Sequence, residues 1–174
     1  MIETARLRLR PWRNDDLDRL AEIYADPDVM RYIGPRTTSN RAQTIRALVR
    51  MRTHWEQHGF GMWALEIADS GELIGRQGLS FLDNGAEIEI GYCLARDAWG
   101  HGYATESGRA VVRFAFEVLG LEHLAGITYP QNIASQGVLQ KCGLSYVEEM
   151  RYYDVDVHYF ALTRDQWEAA EAAG

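Results

Sequence analysis

Residues 86–94, AEIEIGYCL, and residues 97–107, DAWGHGYATES, decide the fold between them. In the first stretch Ile88, Ile90, Tyr92 and Leu94 fall on one face, and Glu87, Glu89, Gly91 and Cys93 on the other. That is the period-two pattern of a strand. In the second, Gly100 and Gly102 stand directly before Ala104, Val111, Val112, Ala115, Val118 and Leu119. Those apolar residues recur at three and four, which predicts an amphipathic helix, with Gly120 as its stop. A glycine turn feeding a helix presents unpaired backbone N–H groups at the positive end of the helix dipole. Such a place attracts a phosphate.

Outward from this pair, RLRLRPW reads as a strand ended by Pro11. Asn14 or Asp15 caps a helix carrying Leu17, Leu20, Ile23 and Tyr24. DPDVMRYI predicts a short helix with Pro27 in its first turn. Ser39 can cap a longer one through Ile45, Leu48, Val49, Arg52 and Trp55, ended by Gly59. MWALEIA and ELIGRQGLSFL are strand-like, and Asn84-Gly85 is a hairpin signal ahead of AEIEIGYCL. Beyond the glycine turn and its helix come a strand at HLAGITY and a short helix near Ala134–Cys142. Two strands follow, at LSYVEEM and VHYFALT, and TRDQ reads as a capping box opening a last helix. The order predicts an α/β or α+β fold, helices on a central sheet. A Rossmann fold would alternate more regularly.

The 174 residues fit one domain, 1–174. A chain of that size buries roughly 70% of its unfolded surface. No apolar run is long enough to cross a membrane, and the N-terminus has no signal-peptide core, so a cytoplasmic protein is expected. The net charge of −7 argues against nucleic-acid binding and requires any phosphate to be held locally. An acidic balance also suits a cationic small-molecule partner. Cys93 and Cys142 read as buried thiols, and no CxxC spacing suggests a metal. His54 and His58 lie one helical turn apart with no third ligand in view, so no metal is expected.

Four stretches, in order, resemble the GCN5-related N-acetyltransferases, and more closely their RimJ/RimL-type branch. They are RLRLRPW with DLDRL, AEIEIGYCL, WGHGYATE and NIASQGVLQKCGL. The resemblance implies a central mixed, mostly antiparallel twisted sheet of about seven strands flanked by helices. It implies transfer of an acetyl group from acetyl-CoA to a primary amine, on a protein N-terminus or a small molecule, by direct attack on the thioester. Tyr92, Cys93 and Leu94 would offer backbone groups to the pantetheine arm. The amides of Gly100, His101, Gly102, Tyr103, Ala104 and Thr105 would cradle the pyrophosphate. Asn132 would hydrogen-bond the pantetheine arm or cap a helix. Glu89 or Glu87 would be the general base. Ser135 would be the acid towards the thiolate or a helix cap, since position 139, where some relatives carry a tyrosine, is Leu139. Dimerisation is common in this branch, so a homodimer is among the expected states. A non-catalytic acyl-CoA-binding domain is the alternative reading. A P-loop is excluded for want of Gly-Lys-Ser/Thr.

Overall fold

The computed structural model describes residues 1–173, without the side chain of Asn84. The strands are β1 (Ile2–Glu3), β2 (Leu7–Arg10), β3 (Met62–Ile67), β4 (Leu73–Phe81), β5 (Ile88–Leu94), β6 (His123–Thr128), β7 (Ser145–Tyr152) and β8 (Val155–Thr163). The helices are α1 (Asp16–Ala25), α2 (Pro27–Met30), α3 (Arg41–His58), α4 (Tyr103–Glu117), α5 (Ile133–Lys141) and α6 (Arg164–Ala173). All eight strands join one sheet in the order β1-β2-β3-β4-β5-β6-β8-β7. Among the described residues every neighbouring pair is antiparallel except β5 and β6. Parallel neighbours need a crossover, and α4 supplies it. The eighth strand, against about seven expected, is the two-residue β1.

The two faces of the sheet are covered differently. Gln77 pairs with Tyr92 across β4 and β5, and the Ser107 hydroxyl of α4 donates to Gln77 Oε1 at 3.1 Å. That face holds α4. The opposite face carries Arg76 beside Cys93 and Ser80 beside Glu89. There the Arg76 guanidinium lies 6.0 Å from the ring of Tyr24 on α1. Leu7, Leu9, Leu65, Leu79, Val111, Phe116 and Phe160 are among the fully enclosed side chains of the core.

Several local expectations shift. Asn40, not Ser39, caps α3, because Gln43 stands three residues on and completes a capping box. The Ser39 amide instead donates to the Tyr24 carbonyl at 2.9 Å. In α3, Ile45 and Val49 face solvent, and Thr44 and Leu48 are the buried positions. Asp15 occupies the cap position of α1 without a side-chain cap bond. Val118 lies past the end of α4 and is exposed. The β4–β5 connection spans residues 82–87 rather than two residues. Asp83 takes the positive φ of 47° while Gly85 is extended at φ −80°. The side chain of Asn84, half of the hairpin signal, lies outside the described residues. The TRDQ capping box is present, with the Thr163 amide donating to Gln166 Oε1 at 3.0 Å and the Gln166 amide to Thr163 Oγ1 at 3.3 Å.

A buried ion cluster ties the N-terminal half together. Arg10 donates to Glu66 at 2.5 Å and to both Asp16 oxygens at 2.7 and 2.8 Å. Arg8 adds a bond to Glu66 at 2.7 Å, and the Arg13 amide one to Asp16 at 2.7 Å. Burial alone would raise both carboxyl groups, but these hydrogen bonds outweigh it and hold both below the usual range. Removing one partner strands a buried charge. Asp16→Ala should therefore cost about 3–5 kcal/mol, seen as a lower urea midpoint. The depressed carboxyl groups stabilise above their unfolded pKa, about 4, and lose that contribution as pH falls through their folded values. The wild type should lose stability in that acid range, and Asp16→Ala should lose less.

Candidate active site

β5 and β6 pair at one position, Glu89 with Ala125. Beyond it both strands continue, to Leu94 and Thr128, without further pairing. A cavity of about 1410 Å³ occupies this opening. Ile90–Leu94 form one wall, and Ile127–Tyr129 with Asn132 and Ser135 another. The segment Tyr32–Arg36 covers the mouth, with the Arg36 guanidinium 4.9 Å from the Tyr129 ring.

At one end stands the glycine turn. Gly100 and Gly102 both have φ of 80°, a left-handed conformation costly for any residue with a Cβ. Gly102 is the N-cap of α4 and supplies no side-chain cap. Among the described residues no backbone amide from Gly100 to Thr105 donates to a protein acceptor; the first to do so is Glu106, to the Gly102 carbonyl at 3.0 Å. Gly100, Gly102, Tyr103, Ala104 and Thr105 line the cavity. A Cβ built on Gly100 would meet nothing within 4 Å. Unpaired amides, a helix N-terminus and open space in front of them suit a pyrophosphate. His101 stands in this turn by its backbone alone: its ring stacks on Tyr103 and is not part of the cavity wall.

Glu89 also opens into the cavity. Its Oε1 accepts from the Tyr153 hydroxyl at 3.1 Å and from the Ser80 hydroxyl at 3.4 Å. Its Oε2 accepts from no protein donor among the described residues. Burial pushes the carboxyl up to about 7, against the opposing pull of those two hydroxyls and of Arg76. A carboxylate poised near neutrality with one free oxygen can take a proton at ordinary pH. Glu87 is placed elsewhere. It bonds the Tyr159 hydroxyl, lies 3.4 Å from that of Tyr152 and 3.2 Å from His123 Nδ1, and is not part of the cavity wall.

The remaining candidates divide by their backbone and caps. Asn132 caps α5, its Oδ1 accepting from the Ser135 amide at 3.3 Å. The cap is therefore Asn132, and the Ser135 hydroxyl lies beside that of Tyr92. Tyr92, Cys93 and Leu94 all line the cavity, but the register with β4 turns the Cys93 N–H and C=O towards Arg76, and the Leu94 carbonyl already accepts from the Trp99 indole at 3.0 Å. Burial pushes both cysteine thiols up to about 11, so they stay neutral.

The family described as Acetyltransferase (GNAT) domain matches residues 6–145. The chain belongs to this family. It is 32% identical to the FsC-acetyl coenzyme A-N(2)-transacetylase of Aspergillus fumigatus, over 95% of this chain and 77% of that one. It is 29% identical to an uncharacterized N-acetyltransferase of Bacillus subtilis, YoaA, over 88% of this chain and 87% of the other. An acetyltransferase of Agrobacterium tumefaciens superposes with a TM-score of 0.82 at 26% identity, covering 92% of each chain. The chain is thus an N-acetyltransferase of the GNAT family, and the eight-stranded sheet is the GNAT fold.

Three partners of this GNAT site escape sequence reading. Tyr153, at the turn between β7 and β8, has φ of 50°. Its hydroxyl accepts from the Asp83 amide at 2.8 Å while donating to Glu89, so two distant loops meet at the carboxylate. Arg6 braces the glycine turn from the first strands, donating to the His101 carbonyl at 3.0 Å and to Glu106 at 2.7 Å. Ser80 is found only through the β4–β5 register that sets it opposite Glu89. No spacing rule links such residues. Tyr153→Phe removes a donor that favours the charged carboxylate, so the Glu89 carboxyl should titrate above 7 in the variant. Side-chain carboxyl NMR reads this directly, and an unmoved titration would contradict the assignment.

Proposed function

We propose that this acetyltransferase takes its acetyl group from acetyl-CoA and passes it to a primary amine. One observation carries the reading: the unpaired amides of Gly100–Thr105 and the near-neutral Glu89 carboxylate open into the same cavity. The name of the Aspergillus relative, which joins acetyl coenzyme A to an N(2) position, supports both halves. When bound, acetyl-CoA supplies a thioester carbonyl for the amine to attack.

The chain's own residues then have distinct tasks. The amides from Gly100 to Thr105 hold the pyrophosphate. The free backbone N–H and C=O of Tyr92, which the β4 ladder leaves unused, orient the pantetheine arm along β5. Asn132 fixes the first turn of α5 and with it the Ser135 hydroxyl. Glu89 Oε2 removes the proton from the incoming ammonium, directly or through one water. Ser135 is a weak acid, so we assign it a hydrogen bond to the departing thiolate rather than outright protonation. Glu87 has no task in this scheme.

A base works only when deprotonated, so the rate should fall as pH drops below about 7. Glu89→Gln should remove that limb and lower turnover by a factor on the order of 10²–10⁴, with acetyl-CoA affinity nearly unchanged. Near-normal turnover in this variant would exclude the carboxylate as base, and absence of turnover in the wild type would favour a binding domain. Gly102→Val forces a β-branched residue to φ 80° and crowds Arg6, whose guanidinium a Cβ would approach at 3.5 Å. Acetyl-CoA should then bind at least ~10-fold more weakly, about 1.4 kcal/mol, by calorimetry.

A further inference from the structure

Arg76 is an unpaired cation inside the acetyltransferase cavity. It rises from β4 on the face that carries Glu89 and lines the cavity wall. Its Nε is buried and has no hydrogen-bond partner. Among the described residues no carboxylate lies within 4 Å of it. Its neighbours are Tyr24, whose hydroxyl hydrogen-bonds the guanidinium and whose ring centre lies 6.0 Å from the guanidinium carbon, and the Cys93 thiol opposite, with the Glu89 charge acting from further along the sheet. Burial holds both the phenol and the thiol in their neutral forms. The other arginines of the wall are engaged. Arg31 pairs with Asp28 at 2.6 Å, Arg36 lies over Tyr129, and Arg96 lies 4.4 Å from the Trp99 ring centre.

The same fold shows what a satisfied buried arginine looks like: Arg10 carries two carboxylates, Asp16 and Glu66. Arg76 is half-buried at the cavity wall and has no carboxylate of its own, so its charge is left for a ligand to pair. Its planar fork matches a carboxylate with two parallel bonds. Along β4 and β5 the rows run Arg76, Gly78, Ser80 and Cys93, Gly91, Glu89 on one face. Gly78 and Gly91 thus separate the cation from the base, and the side chain of Met62, which pairs with Gly78, lies over Gly91 on the floor between them. The Cα atoms of Arg76 and Glu89 lie about 14 Å apart at normal strand rise. The reach of both side chains shortens the gap to the length of a small molecule.

We infer that Arg76 binds a carboxylate on the amine acceptor, so that the acceptor is a small amino acid-like molecule with its amine at Glu89 and its carboxylate at Arg76. The inference rests on the amine-acetylation reading above and adds the class of amine. It runs against the bias from net charge, because the cavity wall carries Arg31, Arg36, Arg76, Arg96 and Lys141 against Asp28 and Glu89.

The test is a panel of amino acids, each matched with its carboxamide, assayed with acetyl-CoA against wild type, Arg76→Met and Arg76→Lys. Wild type should favour the carboxylate member by at least ~10-fold in kcat/KM, and Arg76→Met should collapse that ratio towards one. Arg76→Lys should keep part of the preference, since it retains charge without the fork. Acetylation of amines without a carboxylate preference, or an equal loss on both members in Arg76→Met, overturns the inference while leaving amine acetylation standing. If no amine is acetylated, the underlying reading fails. Calorimetry of the carboxylate members on the CoA-loaded protein then decides Arg76 alone. Binding lost in Arg76→Met supports its role, and no binding to wild type overturns it.

Discussion

Everything in this molecule that bears on chemistry depends on the failure of β5 and β6 to stay paired. The two strands share one register position, Glu89 with Ala125, and then run on apart. Had the ladder continued, the backbone groups of Tyr92 would be spent on β6, and no space would exist for a ligand arm. Because it stops, the strand ends offer polar backbone to a cavity, and the crossover through α4 brings a helix N-terminus to the mouth. The glycines at 100 and 102 let the chain turn sharply enough for the helix to start there with its amides unspent. The charge cluster of Arg10, Asp16 and Glu66 holds α1 against β2 and β3.

The electrostatics follow from that architecture rather than from composition. The chain is acidic, at −7, yet the wall of its cavity is predominantly basic. Such a wall suits an anion through local dipoles and arginines. The Glu89 carboxyl is tuned by the same enclosure. Glu89 is raised by burial, and the hydroxyls of Tyr153 and Ser80, both on Oε1, restrain the rise to about 7. Glu87, two residues earlier on the same face of the strand, sits against the Tyr159 hydroxyl under the β6–β8 part of the sheet.

Much of this was legible in the chain, for physical reasons that differ by element. The period-two run of 86–94 and the glycine turn before α4 carry their meaning locally, so the strand, the turn and the helix read directly. The capping box at Thr163 and the left-handed stop at Gly59 did likewise. Cap positions went astray where two candidates compete, as Ser39 and Asn40 do, and Gln43 decides between them. Glu89 and Glu87 could not be separated by alternation, which places them on one face. Their difference lies in what stands above them, Tyr153 in one case and Tyr159 in the other. Those partners are 64 and 72 residues away, so no window of sequence contains them. Arg76 was invisible for the same reason: its lack of a partner is a property of the packed sheet.

The central claim is that the amides freed where β5 meets α4 bind the donor's phosphates. Amide hydrogen exchange, followed residue by residue by NMR with and without coenzyme A, tests it most directly. The account predicts that coenzyme A slows exchange strongly between Gly100 and Thr105 and leaves the antiparallel β7–β8 ladder unchanged. Saturation with coenzyme A that leaves exchange across Gly100–Thr105 as fast as in the free protein would contradict it.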